Sequence, residues 1–164
     1  MRFVKIRQVK REIRILGINI VPWDKGHWIV GVVYRGGLFM DGVMNVRTDK
    51  KSLTEAIVSM IMNSPHFKQI RVITFDRDLI NPETEVNSLF IFEKTGKPVI
   101  VLGEEMEDFN PFKESFIWNS RKVVTVGLAA SSARRVLEVS TVTGSVPESL
   151  RVAQLIVLGG SNEL

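Results

Sequence analysis

Three short apolar runs are the feature of this sequence that most constrains its fold. They span Ile13–Ile20, Ile70–Asp76 and Lys97–Gly103, and each is rich in β-branched residues. A run of this length and composition is typical of a strand whose two faces are both buried. We therefore expect a sheet with three central strands that is covered by helices on both sides.

A hairpin and two helices are predicted between these runs. Trp28–Tyr34 and Leu38–Val46 flank Arg35-Gly36-Gly37, whose glycines tolerate the positive φ of a tight turn. The segment 52–64 predicts a helix, with Ser52 and Glu55 as a capping box. A second helix is predicted from about Glu85 to Lys94, with Gly96 as its C-cap.

The C-terminal part predicts more helix than strand. We expect a short helix over 107–118, a strand over 122–127 and a helix over 128–140. The last helix begins after Ser145, with Glu148 completing a second capping box and Pro147 in the first turn.

This order predicts an α/β fold. The early hairpin requires antiparallel pairing, whereas helices between the later strands imply parallel crossovers. The result is a mixed sheet with helices packed on both faces, in the order of the ribonuclease H-like fold. The 164 residues fit one such domain, spanning 1–164.

Composition excludes several classes of protein and site. The absence of cysteine excludes disulfides and thiolate metal sites. No run of eighteen apolar residues and no apolar leader occur, so we expect neither a membrane span nor a secretory signal, and we expect a cytoplasmic location. The histidines His27 and His66 lack zinc-site spacing, and no phosphate-binding loop is visible.

The first fourteen residues concentrate positive charge. The chain has a net charge of +4, and only Glu12 opposes six nearby cations: Arg2, Lys5, Arg7, Lys10, Arg11 and Arg14. One interpretation is a solvated arm or edge strand, on which basic residues prevent aggregation. The other is a contact with RNA or DNA through Lys5, Lys10 and Arg11, together with Arg35.

A candidate site lies where the first strand and the strand after the first helix end. In open α/β sheets, ligands bind beyond the carboxyl ends of the strands. Asn19 lies near the end of the first strand, and Asp76 closes the strand after the first helix. Two carboxylates there would bind Mg²⁺ or Mn²⁺, but one carboxylate and one amide bind a divalent cation far more weakly. Asp24, Asp41 and Asp78 are further acids that could compensate for the missing carboxylate, and Asp24 and Asp41 are those expected to complete a metal site with Asp76.

The chain resembles an archaeal family of uncharacterised proteins distantly related to endonuclease V. Gly17-Ile18-Asn19-Ile20 stands where that family has Gly-Ile-Asp-Asp. The best-matched motifs are those of the scaffold, and they comprise Arg35-Gly36-Gly37, Asp41-Gly42-Val43, Thr95-Gly96, Pro98–Val101, Pro147-Glu148 and Leu150–Ala153. Weaker matches remain at Asp49, Thr54, Glu55 and Asp76.

The departures from the family fall at polar positions. Asn19 and Ile20 replace the acid pair, Arg77 replaces a glycine, and Gln154 replaces a histidine. The resemblance implies a ribonuclease H-like fold, while the departures indicate a dismantled metal site for which no cofactor is expected. Arg77 is the side chain that we expect to pair with Asp76.

Three functions remain open at this point. The first is a catalytically degenerate, endonuclease V-like protein that binds nucleic acid or a protein partner. The second is an active Mg²⁺- or Mn²⁺-dependent nuclease that uses Asp76 with Asp24 or Asp41. The third is a structural or regulatory subunit, a homo-oligomer included, that does not bind nucleic acid.

Overall fold

Seven strands of the chain form one mixed sheet. The computed structural model describes residues 2–49, 51, 53–103 and 110–161, and for residue 161 the backbone only. The strands are β1 (Arg14–Trp23), β2 (Gly26–Arg35), β3 (Phe39–Asp49), β4 (Val72–Asp76), β5 (Val99–Leu102), β6 (Lys113–Trp118) and β7 (Arg121–Val126). Their order across the sheet is β3-β2-β1-β4-β5-β7-β6.

Four helices cover the sheet. They are α1 (Leu53–Met62), α2 (Ser88–Thr95), α3 (Ala130–Ser140) and α4 (Glu148–Ser161). Alternate residues of β1 point to opposite faces, as the period of a strand requires. Leu16, Ile18 and Ile20 pack with α1 and α2, whereas Ile15 packs with α3 on the other face. The predicted α/β fold with helices on both faces is therefore confirmed.

The pairing of the strands is antiparallel on one side of β1 and parallel on the other. β1 and β2 form a hairpin through Asp24 and Lys25, and Asp24 adopts a positive φ of 52° in the turn. β1, β4 and β5 run parallel, with α1 and α2 as the crossovers. The carboxyl ends of β4 and β5 therefore lie at one end of the sheet, and the starts of β1, β4 and β5 lie at the other.

The prediction of a helix over 107–118 is wrong for residues 110–118, which are the residues of that range that the structure describes. Residues 113–118 form β6 instead, and their burial alternates as in a half-exposed strand. Asn119 and Ser120 take positive φ values of 49° and 65° and turn the chain directly into β7. β7 consequently pairs with β5 in the antiparallel sense rather than through a parallel crossover. Residues 107–109 lie outside the described part.

Two features of the predicted helix starts are wrong, and a third lies outside the described residues. α2 begins at Ser88 rather than at Glu85, because the Asn87 side chain accepts a hydrogen bond from the backbone of Phe90 (3.0 Å) and caps it there. Glu148 Oε1 accepts from the Arg151 guanidinium and Glu148 Oε2 has no hydrogen-bond partner in the described part of the chain, so Glu148 does not make the backbone contact of the second capping box. Ser52 of the first capping box lies outside the described residues.

No helix in the described ranges is long and apolar enough to cross a membrane.

Gly17 sets how closely α4 approaches β1, and its replacement by alanine tests that approach. A Cβ on Gly17 would lie 2.6 Å from the backbone carbon of Ser149 and 2.7 Å from the backbone nitrogen of Leu150. Gly17→Ala should lower the free energy of unfolding by about 1–3 kcal/mol, because the helix backbone has to move away from the sheet. Urea denaturation measures this change.

The matched control is Gly159→Ala, which lies on α4 itself. A Cβ there meets no atom within 4 Å, so this variant should be up to about 1 kcal/mol more stable than the wild type. Equal stabilities for the two variants would contradict the close docking of α4 on Gly17.

Candidate functional site

Asn19 and Asp76 lie side by side in the sheet. β1 and β4 are parallel neighbours, and their pairing of Ile18 with Phe75 brings Asn19 next to Asp76 at the following step. Asp76 lies four residues after Val72, and Asn19 lies four residues after Ile15, so each side chain points to the same face as that apolar residue. Both therefore lie on the face covered by α3 and α4. Each residue is only 2% exposed. Asn19 is in the middle of β1 rather than near its end, because β1 continues to Trp23 in its hairpin with β2.

The Asp76 carboxylate is held by Arg121, the first residue of β7. Arg121 Nη1 donates to Asp76 Oδ2 at 3.0 Å, and Arg121 Nη2 donates to Asp76 Oδ1 at 2.6 Å. The same Nη2 also donates to the exposed carboxylate of Asp78 at 2.7 Å. The hydrogen bond to Asp76 raises the pKa of Arg121, despite the opposing effect of burial. Arg121 therefore carries a fixed positive charge between two carboxylates.

Gly103 makes room for this ion pair. It follows β5, the strand between β4 and β7, and adopts a positive φ of 83°. A Cβ at this position would lie 3.2 Å from both Arg121 Nη2 and the Asp78 carboxylate. The absence of a side chain lets the Arg121 guanidinium reach across β5 to Asp76.

Arg77 is not the partner of Asp76, contrary to the expectation from sequence. Arg77 begins a 3₁₀ turn, and its Nη2 donates to the carbonyl oxygens of Asn81 (3.3 Å) and Pro82 (3.1 Å). Asp76 itself caps this turn by accepting from the backbone nitrogen of Asp78 (3.0 Å). Sequence reasoning missed Arg121 because it lies 45 residues away, at the start of a hairpin strand whose partner β6 was assigned to a helix.

Gln154 lies on α4 at about the level of Asn19. The start of α4 packs over Gly17 of β1. Near the end of α4, Gly160 packs against Trp28, which pairs with Val21 of β1. Rises of about 1.5 Å per helical residue and 3.3 Å per strand residue place Gln154 beside the middle of β1. The structure thus brings the Asn19, Asp76 and Gln154 positions to one region of the molecule.

The described side chains around Asp76 do not fit a divalent cation. Asn19 Oδ1 accepts from the backbone nitrogen of Ile20 at 2.9 Å, and both Asp76 oxygens accept from Arg121. Within the described ranges, no three His, Cys, Asp or Glu side chains come together in a group that could hold a metal ion. Mg²⁺ and Mn²⁺ require several oxygen ligands with a negative balance of charge, whereas this set includes a guanidinium.

Of the further candidate acids, Asp78 shares Arg121 with Asp76, whereas Asp24 and Asp41 lie away from it. Asp24 is exposed in the β1–β2 turn, five residues beyond Asn19, which is about 16 Å along an extended strand. Asp41 is in the bulge of β3, at the opposite end of the sheet, where its carboxylate accepts from Arg14 Nε (2.9 Å) and Arg35 Nε (2.9 Å). The structure therefore does not assemble the acid set of Asp76 with Asp24 or Asp41.

The candidate nucleic-acid-binding residues lie at the Asp41 end of the sheet. Lys5, Lys10 and Arg11 are exposed, and they belong to an irregular segment rather than to an edge strand. Arg35 ends β2, pairs with Asp41 and places its guanidinium carbon 4.8 Å from the centre of the Phe39 ring. These four residues therefore lie near the starts of the parallel strands, away from Asp76.

Removing Arg121 tests the role of its ion pair with Asp76. Arg121→Gln leaves the buried Asp76 carboxylate without its guanidinium, so the free energy of unfolding should fall by about 3 kcal/mol at neutral pH. Urea denaturation measures the loss, and the double variant Asp76→Asn with Arg121→Gln should recover part of it. Arg135→Gln is the control, because Arg135 pairs with Glu138 at the surface and should contribute less than about 1 kcal/mol. Equal losses for Arg121→Gln and Arg135→Gln would contradict a structural role for the buried pair.

The Asp41 ion pairs predict a pH-dependent contribution to stability. Burial raises the pKa of Asp41, but the hydrogen bonds and charges of Arg35 and Arg14 outweigh it and lower that pKa below its usual 3.8. The stabilisation is complete above pH 3.8 and is lost as the pH falls through the lowered pKa of the folded state. Asp41→Asn should therefore be less stable than the wild type at pH 7, and the difference should shrink only when the pH falls below 3.8 in an acid denaturation series. A stability difference between Asp41→Asn and the wild type that stays constant down to pH 2 would contradict these ion pairs. Asp24→Asn, at an exposed position, serves as the control.

Comparison with known proteins gives both relatives and solved structures. No protein-family profile matches the chain. A UPF0215 protein of Methanothermobacter thermautotrophicus is 32% identical, and the match covers 93% of this chain and 90% of the relative. A protein of unknown function from Archaeoglobus fulgidus superposes with a TM-score of 0.76 at 21% identity, over 89% of this chain and 96% of the other.

Endonuclease V of Ciona intestinalis, solved with an inosine-containing DNA, has a TM-score of 0.63 at 7% identity, over 92% of this chain and 86% of that enzyme. This likeness confirms the ribonuclease H-like fold that the order of elements predicts. The resemblance to archaeal proteins distantly related to endonuclease V is confirmed as well. With nearly a third of its residues identical over nine tenths of both sequences, the chain belongs to the UPF0215 family.

Proposed function

We propose that this protein binds nucleic acid and that its endonuclease V-like centre is catalytically inactive. The observation that carries the second part is the bidentate ion pair of Arg121 with Asp76, at the place where the fold brings β1 and β4 together. The guanidinium takes the position beside Asp76 that a divalent cation would need. Asn19 adds no negative charge to compete for one.

The charge balance explains why metal-dependent cleavage is disfavoured. A divalent ion polarises a phosphoryl oxygen and generates the attacking hydroxide, and it needs carboxylates to hold it. Here the carboxylates of Asp76 and Asp78 share one guanidinium, so the group has a net charge of only −1. A cation entering the site would have to displace charge-assisted hydrogen bonds of 2.6–3.0 Å and would be repelled by Arg121.

The nucleic-acid part of the proposal is supported by charge and by fold. The chain has a net charge of +4, with cations concentrated in its first segment. The endonuclease V structure that shares this fold contains a bound DNA. A basic surface on a fold that holds nucleic acid in another protein favours a phosphate-bearing partner.

A protein partner is the second candidate, and the apolar side chains at the start of the edge strand β3 favour it. Leu38 is 50% exposed, Phe39 49% and Met40 47%. Clusters of exposed apolar side chains often mark protein interfaces. A stable homodimer in size-exclusion chromatography that Met40→Lys dissociates would support this function.

The proposal predicts binding without cleavage. Wild-type protein incubated with single-stranded and inosine-containing substrates and with Mg²⁺ or Mn²⁺ should leave them intact on denaturing gels. Filter binding should show an affinity for nucleic acid that falls steeply as salt rises, because bound phosphates release counterions.

Two results would contradict the proposal. Cleavage that Asp76→Asn abolishes would show that the centre is active. No binding to any RNA or DNA, at low salt and with protein shown to be folded by circular dichroism, would remove the nucleic-acid part.

A further inference from the structure

We infer that a single-stranded nucleic acid binds along the end of the sheet opposite Asp76, where the parallel strands begin. The inference rests on the proposed function, and it assigns that function to a surface. This surface is called the basic end here, and it comprises the cations of the N-terminal segment, Lys5, Lys10 and Arg11, and those at the strand ends, Arg14, Arg35, Arg71 and Lys97.

Four neighbouring strands contribute one cation each to the basic end. Arg35 ends β2, Arg14 begins β1, Arg71 precedes β4, and Lys97 lies two residues before β5. The sheet order β2-β1-β4-β5 therefore arranges them in a row. The backbone nitrogen of Arg71 donates to the carbonyl oxygen of Arg14 at 2.9 Å, which fixes two members of the row beside each other.

Positive charge exceeds negative charge in this row. Asp41 is shared by Arg14 and Arg35, so this trio retains a net charge of +1. Arg71 is exposed. The pairing of Ile73 with Val99 puts Arg71 beside Lys97 two residues earlier. Burial lowers the pKa of Lys97, and the positive charge of Arg71 lowers it further. An anionic ligand would relieve the repulsion between these two cations.

The N-terminal segment adds further cations along the same end. The backbone nitrogen of Val4 donates to the Gly127 carbonyl (2.7 Å) beyond β7, and the backbone nitrogen of Gly36 beyond β2 donates to the Ile13 carbonyl (2.7 Å). The segment therefore runs across the sheet from β7 to β2. Val4 packs on one core and Ile6 and Val9 pack on the other, while Lys5, Lys10 and Arg11 stay exposed.

An exposed aromatic side chain favours a single strand as the ligand. Adjacent strands are about 4.8 Å apart, so the row holds its cations close together along one line that a phosphate backbone can follow. Phe39 lies under Arg35 and is 49% exposed, so it offers a face on which an unpaired base can stack. A base inside a duplex is not free to stack there.

The opposite end of the molecule is less suited to a polyanion. A groove of about 650 Å³ between the β1–β2 turn, the start of α1 and residues 81–87 is lined by the acids Asp24, Glu55, Glu83 and Glu85. Arg121 is already paired with Asp76 and Asp78. Phosphates would be repelled by these carboxylates and attracted by the basic end.

Two matched pairs of substitutions test the inference. Lys10→Gln with Arg71→Gln removes two exposed cations from the basic end, and Lys25→Gln with Lys51→Gln removes two exposed cations near the acidic groove. The probes are a labelled oligothymidylate and a labelled duplex of the same length. The logarithm of the binding constant falls linearly with the logarithm of the salt concentration, and the magnitude of this slope is called the salt slope here. Each lost phosphate contact lowers the salt slope by about 0.7, which corresponds to about fivefold weaker binding at about 0.1 M salt.

The double variant Lys10→Gln with Arg71→Gln, called the basic-end pair, should therefore bind oligothymidylate about 25-fold more weakly than the wild type, with a salt slope smaller by about 1.4. The double variant Lys25→Gln with Lys51→Gln, called the control pair, should bind nearly as well as the wild type. Phe39→Ala should weaken binding to oligothymidylate more than binding to the duplex.

The outcomes separate the two proposals. If the wild type binds neither probe, the proposed function fails. If the wild type binds but the control pair loses at least as much affinity as the basic-end pair, the function stands and its assignment to the basic end is overturned. Tighter binding to duplex than to oligothymidylate overturns the choice of a single strand.

Discussion

The ion pair between Arg121 and Asp76 is the interaction on which the interpretation of this molecule depends. A carboxylate that is 2% exposed is stable only when a positive charge or several hydrogen-bond donors offset its lost hydration. In a metal-dependent nuclease, cations supply that charge. Here a guanidinium supplies it with two hydrogen bonds and cannot activate a water molecule as a metal ion does. We propose that the same geometry that stabilises Asp76 keeps it out of metal chemistry.

The topology of the sheet explains how charge is divided between its two ends. Because β1, β4 and β5 are parallel, the carboxyl end of β4 brings Asp76 to Asn19, and the starts of these strands bring Arg14, Arg71 and Lys97 together. Acidic residues line the groove at the end of the sheet where β4 finishes, while the opposite end has more cations than acids. We propose that the family fold is retained here, whereas the surface that contacts a partner has moved to the other end.

Local pattern was enough to predict most of the sheet. Continuous apolar runs identified β1, β4 and β5, and the glycines after Arg35 identified the β2–β3 hairpin, since both signals depend on neighbouring residues. β6 was missed because the aromatic spacing of 112–118 fits a helix as well as a strand, and its turn through Asn119 and Ser120 has no glycine. That error hid Arg121, so Arg77 was chosen as the partner of Asp76 for its proximity in sequence. Ion pairs between distant strands depend on register, which single-sequence patterns do not encode.

Binding of Mn²⁺ at Asp76, measured by isothermal titration calorimetry, tests the central claim most directly. If Arg121 takes the place of the metal, the wild type and Asp76→Asn should give the same titration at millimolar Mn²⁺. Asn19→Asp combined with Arg121→Gln restores two adjacent carboxylates and should gain a binding event. Saturable binding to the wild type that Asp76→Asn eliminates would contradict the claim.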